Sequence, residues 1–210
     1  MSILDAIMRQ PLVYRLWMGP FAERKFAPIA AHNDLARIHR VLDVGCGPGT
    51  NASYFSSVEY LGIDLNEQYI RDAERRLGAC QGRRRFLAVD AAKYVAPPGE
   101  RFDFVLVNSF FHHVDDATVR AILSNLSKLL TDDGHLHILE LVLPESMSVP
   151  RILAHCDRGN FPRPLEEWRR LFCESFEQVL FEPYDLDRGG LTLWKMVYFK
   201  GKARLGSPRS

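Results

Sequence analysis

The chain has 210 residues, a formal net charge of +1, 47% hydrophobic and 25% charged residues. This length and composition are typical of a single globular domain that can bury a core without metals or disulfides. The balanced charge argues against a nucleic-acid or membrane surface as the main partner. The N-terminus has no long uncharged apolar run, which predicts neither a signal peptide nor a spanning helix. Four cysteines without metal-ligand or redox spacing predict free thiols in a reducing cytoplasm: Cys46, Cys80, Cys156 and Cys173.

Strand and helix patterns alternate through the middle of the chain. Short apolar runs predict strands at 40–44, 60–64, 86–89, 102–107 and 135–142. Apolar residues at helical spacing predict helices around 50–56, over 67–78 and over 115–130. Two further runs, at 176–181 and 191–199, flank a turn at 187–190 and predict an antiparallel pair. This alternation predicts an α/β fold with a largely parallel sheet covered on both faces.

Two segments fall outside this alternation and are expected to belong to the same single domain over 1–210. Residues 1–38 are rich in aromatic and apolar side chains and predict two or three short helices, an N-terminal cap. Residues 145–174 form an insertion between the fifth and sixth strands, ending in a helix through Trp168. Both segments are expected either to cap exposed sheet edges or, as the family resemblance described below implies, to cover a ligand at the carboxyl ends of the strands.

The most informative stretch is the glycine-rich turn that follows the first strand. Gly45, Gly47 and Gly49 allow positive φ and let a ligand approach the backbone closely. The spacing differs from a dinucleotide site, since Gly49 comes one residue early and Pro48 has no N–H for a pyrophosphate. Asp64 ends the second strand, where a carboxylate can accept hydrogen bonds from both hydroxyls of a ribose. A further acid, Asp43, lies just inside the first strand and suits a cationic ligand better than an anionic one.

Residues 41–49 followed by Asp64 resemble the cofactor-binding motif of class I S-adenosylmethionine-dependent methyltransferases of the small-molecule type. The resemblance covers roughly residues 36–145. It implies a Rossmann-like, seven-stranded mixed sheet with helices on both faces and S-adenosyl-L-methionine as cofactor. The cofactor-binding residues that it implies are Asp43, Gly45, Cys46, Gly47, Gly49, Asp64, Leu65, Asp90, Ala91 and Asn108.

Candidates on the acceptor side are less specific. His113, after the fourth strand, is the candidate catalytic base, although a histidine pair here also suits a loop-holding or helix-capping role. Tyr14, His112, Glu140 and Arg163 are candidate substrate contacts. For Glu140 a hydrogen-bonded structural acid is the alternative, and for Arg163 it is an ion pair that shapes its loop.

The resemblance implies a cytoplasmic enzyme that transfers a methyl group to a small-molecule acceptor, in the manner of a biosynthetic enzyme. Two alternatives remain open: a methyltransferase-fold enzyme that catalyses a cyclisation or decarboxylation, and a non-catalytic partner subunit. No nucleic acid, membrane or metal ion is expected as a partner. The sequence leaves open the acceptor, the methylated atom and the oligomeric state.

Overall fold

The computed structural model of the chain describes residues 11–78, 83–156 and 160–204, with side chains in these ranges except in 11–20 and 155–156. Seven strands form one sheet: β1 Arg40–Val44, β2 Glu59–Asp64, β3 Arg84–Ala88, β4 Phe102–Asn108, β5 Leu130–Val142, β6 Phe176–Arg188 and β7 Leu191–Ala203. Five α-helices surround it: α1 Pro11–His32, α2 Glu67–Leu77, α3 Asp116–Leu129, α4 Val149–Cys156 and α5 Leu165–Ser175. None of these described helices has the length and apolar character needed to cross a membrane.

The sheet order is β3-β2-β1-β4-β5-β7-β6. The first five strands pair in parallel, and β7 pairs antiparallel with both β5 and β6. Val44 at the end of β1 lies level with Ile63 of β2 and Val107 of β4. The loops that follow these three strands therefore meet at one edge of the sheet. This architecture confirms the predicted mixed seven-stranded α/β fold.

Each face of the sheet is buried under its own helices. On one face, α3 and α5 pack against the sheet through a cluster that includes Ile122, Leu126 and Phe172. On the other face, α1 and α2 contribute Ile29 and Ile70 to a second buried cluster. Because both faces are covered, most of the buried side chains of the central strands β1, β2 and β4 are apolar, as is usual for parallel sheets.

The N-terminal segment differs from its prediction. The chain forms one helix of 22 residues, α1, and then a short 3-10 turn at Leu35–Arg37. Pro20 and Pro28 lie inside α1, where each removes one backbone donor. Burial of Phe26 and Ile29 against the sheet holds the helix together across these positions. Residues 1–10 lie outside the described part.

The other differences are smaller. The helix predicted at 50–56 is a single 3-10 turn, Ala52–Tyr54. The insertion contains α4 as well as the predicted α5, and its residues 157–159 are outside the described part. Cys46 and Cys173 are free thiols, whereas Cys80 and the side chain of Cys156 fall outside that part. The division of the chain into a cap, a core and an insertion stays a prediction.

Candidate cofactor and acceptor site

The loop after β1 is built from glycines that no other residue can replace without strain. Gly45, Gly47 and Gly49 have φ values of 67°, 55° and 77°. A Cβ on Gly45 would lie 2.7 Å from the ring of Phe110, closer than a van der Waals contact allows. The glycines therefore provide both the positive φ and the close approach of the loops after β1 and β4.

Asp64, at the end of β2, is fixed by the loop that it faces. Its Oδ2 accepts a hydrogen bond from the Gly47 N–H at 2.9 Å, and its Oδ1 accepts one from the Asn66 N–H at 2.8 Å. Burial raises the pKa of this carboxyl, and the two backbone hydrogen bonds oppose the rise. Each carboxylate oxygen retains a further lone pair for a ligand hydroxyl. The next residue, Leu65, leaves 69% of its surface exposed and offers an apolar face beside that carboxylate.

Asp43 is completely buried beneath the glycine loop and does not face the cleft. Its carboxylate accepts hydrogen bonds from the Tyr60 hydroxyl at 2.5 Å and from the Asn51 amide at 3.1 Å and 3.2 Å. Asn51 in turn accepts a hydrogen bond from the amide of Asn108 at 3.0 Å. Burial raises the pKa of Asp43 to about 7, against the effect of its two hydrogen-bond donors. Asp43 thus supports the loop from below, and its role toward the cofactor stays a prediction.

The remaining residues of the predicted cofactor set lie at the ends of three strands. Cys46 is buried, with its Sγ packed beside Gly62, so its backbone forms the loop. Asp90 ends the segment after β3, where its Oδ1 accepts the Ala92 N–H at 2.9 Å, and Ala91 is 7% exposed. Their contacts with a cofactor, like that of Asn108, stay predictions.

A cleft of about 900 Å³ opens at this edge of the sheet. It is lined by Gly45, Gly47, Asp64, Leu65, Asn66, Glu67, Gln68, Tyr69, Arg71, Ser109, Phe110, His113 and Asn160. The lining therefore joins the loops after β1, β2 and β4 with the insertion. It includes His113 and four of the predicted cofactor residues, Gly45, Gly47, Asp64 and Leu65.

His112 and Glu140 form a buried pair behind the cleft. The Nδ1 atom of His112 lies 2.5 Å from Glu140 Oε1, and both side chains are almost wholly excluded from solvent. The Glu140 carboxylate also accepts the backbone N–H groups of Phe111 and Leu141, each at 2.8 Å. The polar atoms of this pair thus hold the loop after β4 in place, and the substrate roles of His112 and Glu140 stay predictions.

Arg163 is likewise committed to the protein. Its guanidinium binds the Asp116 carboxylate at 2.7 Å and donates to the carbonyl oxygens of Phe111, Val114 and Phe161. The side chain is 5% exposed. The structure thus contains the ion pair that was the alternative for Arg163, and its contact with an acceptor carboxylate stays a prediction.

Two side chains remain on the acceptor side. His113 is exposed in the cleft, and its ring lies 4.1 Å from that of His112. Asn160 enters from the insertion, next to Phe161, whose N–H binds the His112 carbonyl at 3.0 Å. Tyr14 lies in α1, where its side chain falls outside the described part.

Sequence reasoning missed Asn51, Tyr60 and Asn160. Asn51 lies two residues after Gly49, so its position near Asp43 could have been predicted from the sequence. Tyr60 and Asn160 carry no local signal, because strand pairing and the insertion bring them to the site. Asn51 also lines a small pocket of about 20 Å³ beside Gly45, to which α1 contributes Lys25.

Comparison with known proteins agrees with this geometry. Residues 42–136, somewhat less than half of the chain, match a family described as a methyltransferase domain. The chain is 26% identical over 151 residues to the uncharacterized methyltransferase YcgJ of Bacillus subtilis, covering 69% of this chain and 58% of that protein. It is 25% identical over 171 residues to trans-aconitate 2-methyltransferase of Rhodopseudomonas palustris, covering 76% and 61%. The chain thus spans less than two thirds of the length of these relatives.

Solved structures share the fold at low sequence identity. The N-methyltransferase NodS of Bradyrhizobium japonicum, in complex with S-adenosyl-L-homocysteine, superposes with a TM-score of 0.67 at 17% identity. The superposition covers 87% of each chain. The chain therefore shares the fold of these methyltransferases, and its residues 42–136 match the methyltransferase-domain family.

Proposed function

We propose that the chain is an S-adenosylmethionine-dependent methyltransferase that acts on a small molecule. The observation that carries the proposal is the single cleft in which the glycine loop, the Asp64 carboxylate and His113 meet. S-Adenosylmethionine would supply an electrophilic methyl group on a sulfonium centre. The relative named for trans-aconitate supports a small acceptor as the substrate class.

The cleft suits this cofactor in its size and in its donor set. A volume of about 900 Å³ is within the range of small-molecule sites. The free lone pairs of Asp64 suit ribose hydroxyls, and the exposed face of Leu65 suits a purine ring. This wall does not favour a phosphate, since Asp64 contributes a negative charge to it and the cation Arg71 is already paired with Glu67 at 3.0 Å.

The residues of this chain would act chiefly by positioning. Asp64 and the glycine loop would hold the cofactor, and the ring of Phe110 against Gly45 would limit access of water. Proximity and orientation can lower the barrier of such a transfer by about 7–11 kcal/mol. His113 would remove a proton from the attacking atom of the acceptor, where that atom carries one.

Cofactor binding is the first test. S-Adenosylhomocysteine should bind in calorimetry and raise the melting temperature, because a ligand of the folded state stabilises that state. Asp64→Ala should weaken binding by about 2–4 kcal/mol through the loss of two hydrogen bonds to a charged group. Asp185→Ala removes a surface carboxylate of β6 and should leave affinity unchanged. No binding of either cofactor form at high micromolar concentration would reject the proposal.

Turnover is the second test. A panel of small acids, phenols and amines should contain an acceptor that gains the mass of one methyl group as S-adenosylhomocysteine is released. His113→Ala should reduce kcat by about 10²–10⁴ with nearly unchanged cofactor affinity. A product without the added methyl would favour a different reaction on the same fold. A stable His113→Ala variant with near-normal turnover would show that positioning is sufficient.

A further inference from the structure

A second cavity of about 800 Å³ lies at the opposite edge of the sheet. Its walls are the amino ends of β1, β4 and β5, the last turn of α1 with the segment after it, and Lys200 of β7. In the described part of the chain it shares no lining residue with the candidate cofactor cleft. A ligand bound here would therefore not compete for the cofactor cleft.

The acidic side chains of this cavity are Asp34, Glu59, Asp103 and Asp133. Asp103 accepts the backbone N–H groups of His39 at 2.8 Å and Arg40 at 2.9 Å. Glu59 pairs with the Arg40 side chain at 2.6 Å, and Asp34 caps the 3-10 turn that follows it. Three of the four carboxylates are thus already bonded within the wall.

The basic side chains are less well compensated. The cavity is lined by Arg37, Arg40, Arg101 and Lys200 and by the histidines His32, His39, His135 and His137. Within the described ranges, Arg37, His39 and Lys200 form no side-chain hydrogen bond or ion pair. Burial, together with the charge of Lys202, lowers the pKa of Lys200. Burial and the charges of both lysines lower the pKa of His135 to about 4. The charge of Lys200 is thus disfavoured where it stands, and a bound anion would stabilise it.

One wall of the same cavity includes Ile38 and the buried rings of Phe104 and His137, which are 2% and 1% exposed. The rings of Phe104 and His137 stack with centroids 3.8 Å apart and planes inclined by 13°. The His137 Nδ1 atom lies 2.8 Å from the Tyr198 hydroxyl, and burial lowers the pKa of the imidazole well below its usual range. The ring is therefore neutral and adds no charge to that wall. Ile38 lies beside it.

We propose that this cavity is a second ligand site, which takes a small organic acid with an apolar body. Arg37, His39 and Lys200 bind the carboxylate. The apolar body packs against Ile38 and Phe104. The volume of about 800 Å³ falls within the range of small-molecule sites. The site is independent of the proposed methyl transfer, since it lies at the other end of the strands.

The test uses benzoate as the probe and benzamide as its neutral counterpart of the same shape. Backbone amide resonances of the full chain are followed by NMR during titration at low salt, with and without S-adenosylhomocysteine. Benzoate should produce saturable shifts at His39 and His137 while the resonance of Gly47 stays unchanged. Benzamide should bind at least tenfold more weakly, because it lacks the charge that the cations recognise.

Variants assign the contacts. Lys200→Gln and Arg37→Gln should each weaken benzoate at least threefold, and the double variant at least tenfold. Arg37 is exposed in a turn, so its variant tests the site even if the β7 variant is unstable. Lys128→Gln, which removes a cation of α3 outside this cavity, should leave binding unchanged. Equal binding of benzamide, shifts centred on Gly47, absence of saturable binding, or unchanged affinity in Arg37→Gln would each overturn the proposal.

Discussion

Two completely buried carboxylates support the two sides of the candidate site, and their environments differ in one respect. Asp43, beneath the cofactor loop, receives hydrogen bonds only from neutral donors, Tyr60 and Asn51. Burial accordingly raises its pKa to about 7. Glu140, behind the acceptor loop, is buried equally, but the charge and hydrogen bond of His112 and two backbone N–H groups lower its pKa below the usual value. Burial penalises both charges, and a cationic partner decides which one stays ionised.

The difference affects how each side of the site is held. The support beneath the cofactor loop can gain a proton near neutral pH without losing its hydrogen-bond partners. The support behind the acceptor loop is the hydrogen-bonded pair of His112 and Glu140, and loss of His112 would leave a buried carboxylate without that partner. We therefore expect the acceptor side to be the more sensitive to substitution.

The largest expected effect is from His112→Leu. This change leaves the Glu140 carboxylate buried without its cation and should lower the free energy of unfolding by about 3–5 kcal/mol. Urea unfolding at pH 7 measures it. His113→Ala, at the exposed neighbouring position, is the control and should cost under about 1 kcal/mol. Similar losses in the two variants would show that the buried pair contributes no special stability.

The second effect concerns pH and Asp43. Its pKa in the folded protein is raised to about 7, whereas an unfolded aspartate has a pKa of about 3.9. Between these values the folded state binds more protons, so stability should fall as pH rises, by up to about 4 kcal/mol at about 1.4 kcal/mol per pH unit. Urea unfolding between about pH 4 and 8, a range that covers the interval between the two pKa values, measures the slope. Asp43→Asn should flatten it, and Asp185→Asn on the surface should not. A wild-type slope in Asp43→Asn would place the titrating group elsewhere.

A smaller loss is expected from Tyr60→Phe. Removing the hydroxyl takes one donor from the buried Asp43 carboxyl and should cost about 1.5–3 kcal/mol. Tyr94→Phe removes a hydroxyl that donates to the Glu100 carboxylate at 3.0 Å, and should cost less because that carboxylate is 14% exposed and keeps its ion pair with Arg85. Unfolding of both variants at the same pH provides the comparison. Equal losses would contradict the importance of burial.

The smallest effect is expected in acid, where stability should fall as the pH falls, opposite to the dependence expected for Asp43. The pKa of Glu140 is lowered in the folded protein, so its contribution is present above the usual glutamate pKa of about 4.3 and is lost as pH falls below it. Circular dichroism during acid titration should show a weaker acid dependence in Glu140→Gln than in the wild type. Glu174→Gln, which removes an exposed partner of Arg120, should retain the wild-type dependence. Identical acid transitions in all three proteins would reject this assignment.

Most of the fold was predictable because its signals are local. The strands up to β4 and the helix α2 follow from apolar runs and from helical spacing, and α2 ends at Gly78 as expected. The long helix α1 was not predictable in the same way. Its prolines favour an interrupted helix, whereas burial of Phe26 and Ile29 against the sheet favours a continuous one.

The residues on the cofactor side of the site could be predicted from the sequence for the same reason. Gly45, Gly47 and Asp64 lie in short motifs at strand ends, and the parallel sheet necessarily brings strand ends together. The acceptor half was not accessible. His112, Glu140 and Arg163 looked like substrate contacts, and their pairing with one another and with Asp116 appears only when β5 and the insertion pack against the loop after β4.

The amino-acid sequence alone was enough for the α/β fold, the glycine loop and the acid that faces it. These depend on φ preferences and on apolar periodicity within short segments. The protonation of Asp43, the buried pairing of Glu140, and the exposure of His113 required the folded chain. Burial and charge depend on which residues are neighbours in space, and such neighbours can be far apart along the chain. Asn51 lies 8 residues from Asp43, and Phe111 lies 29 residues from Glu140.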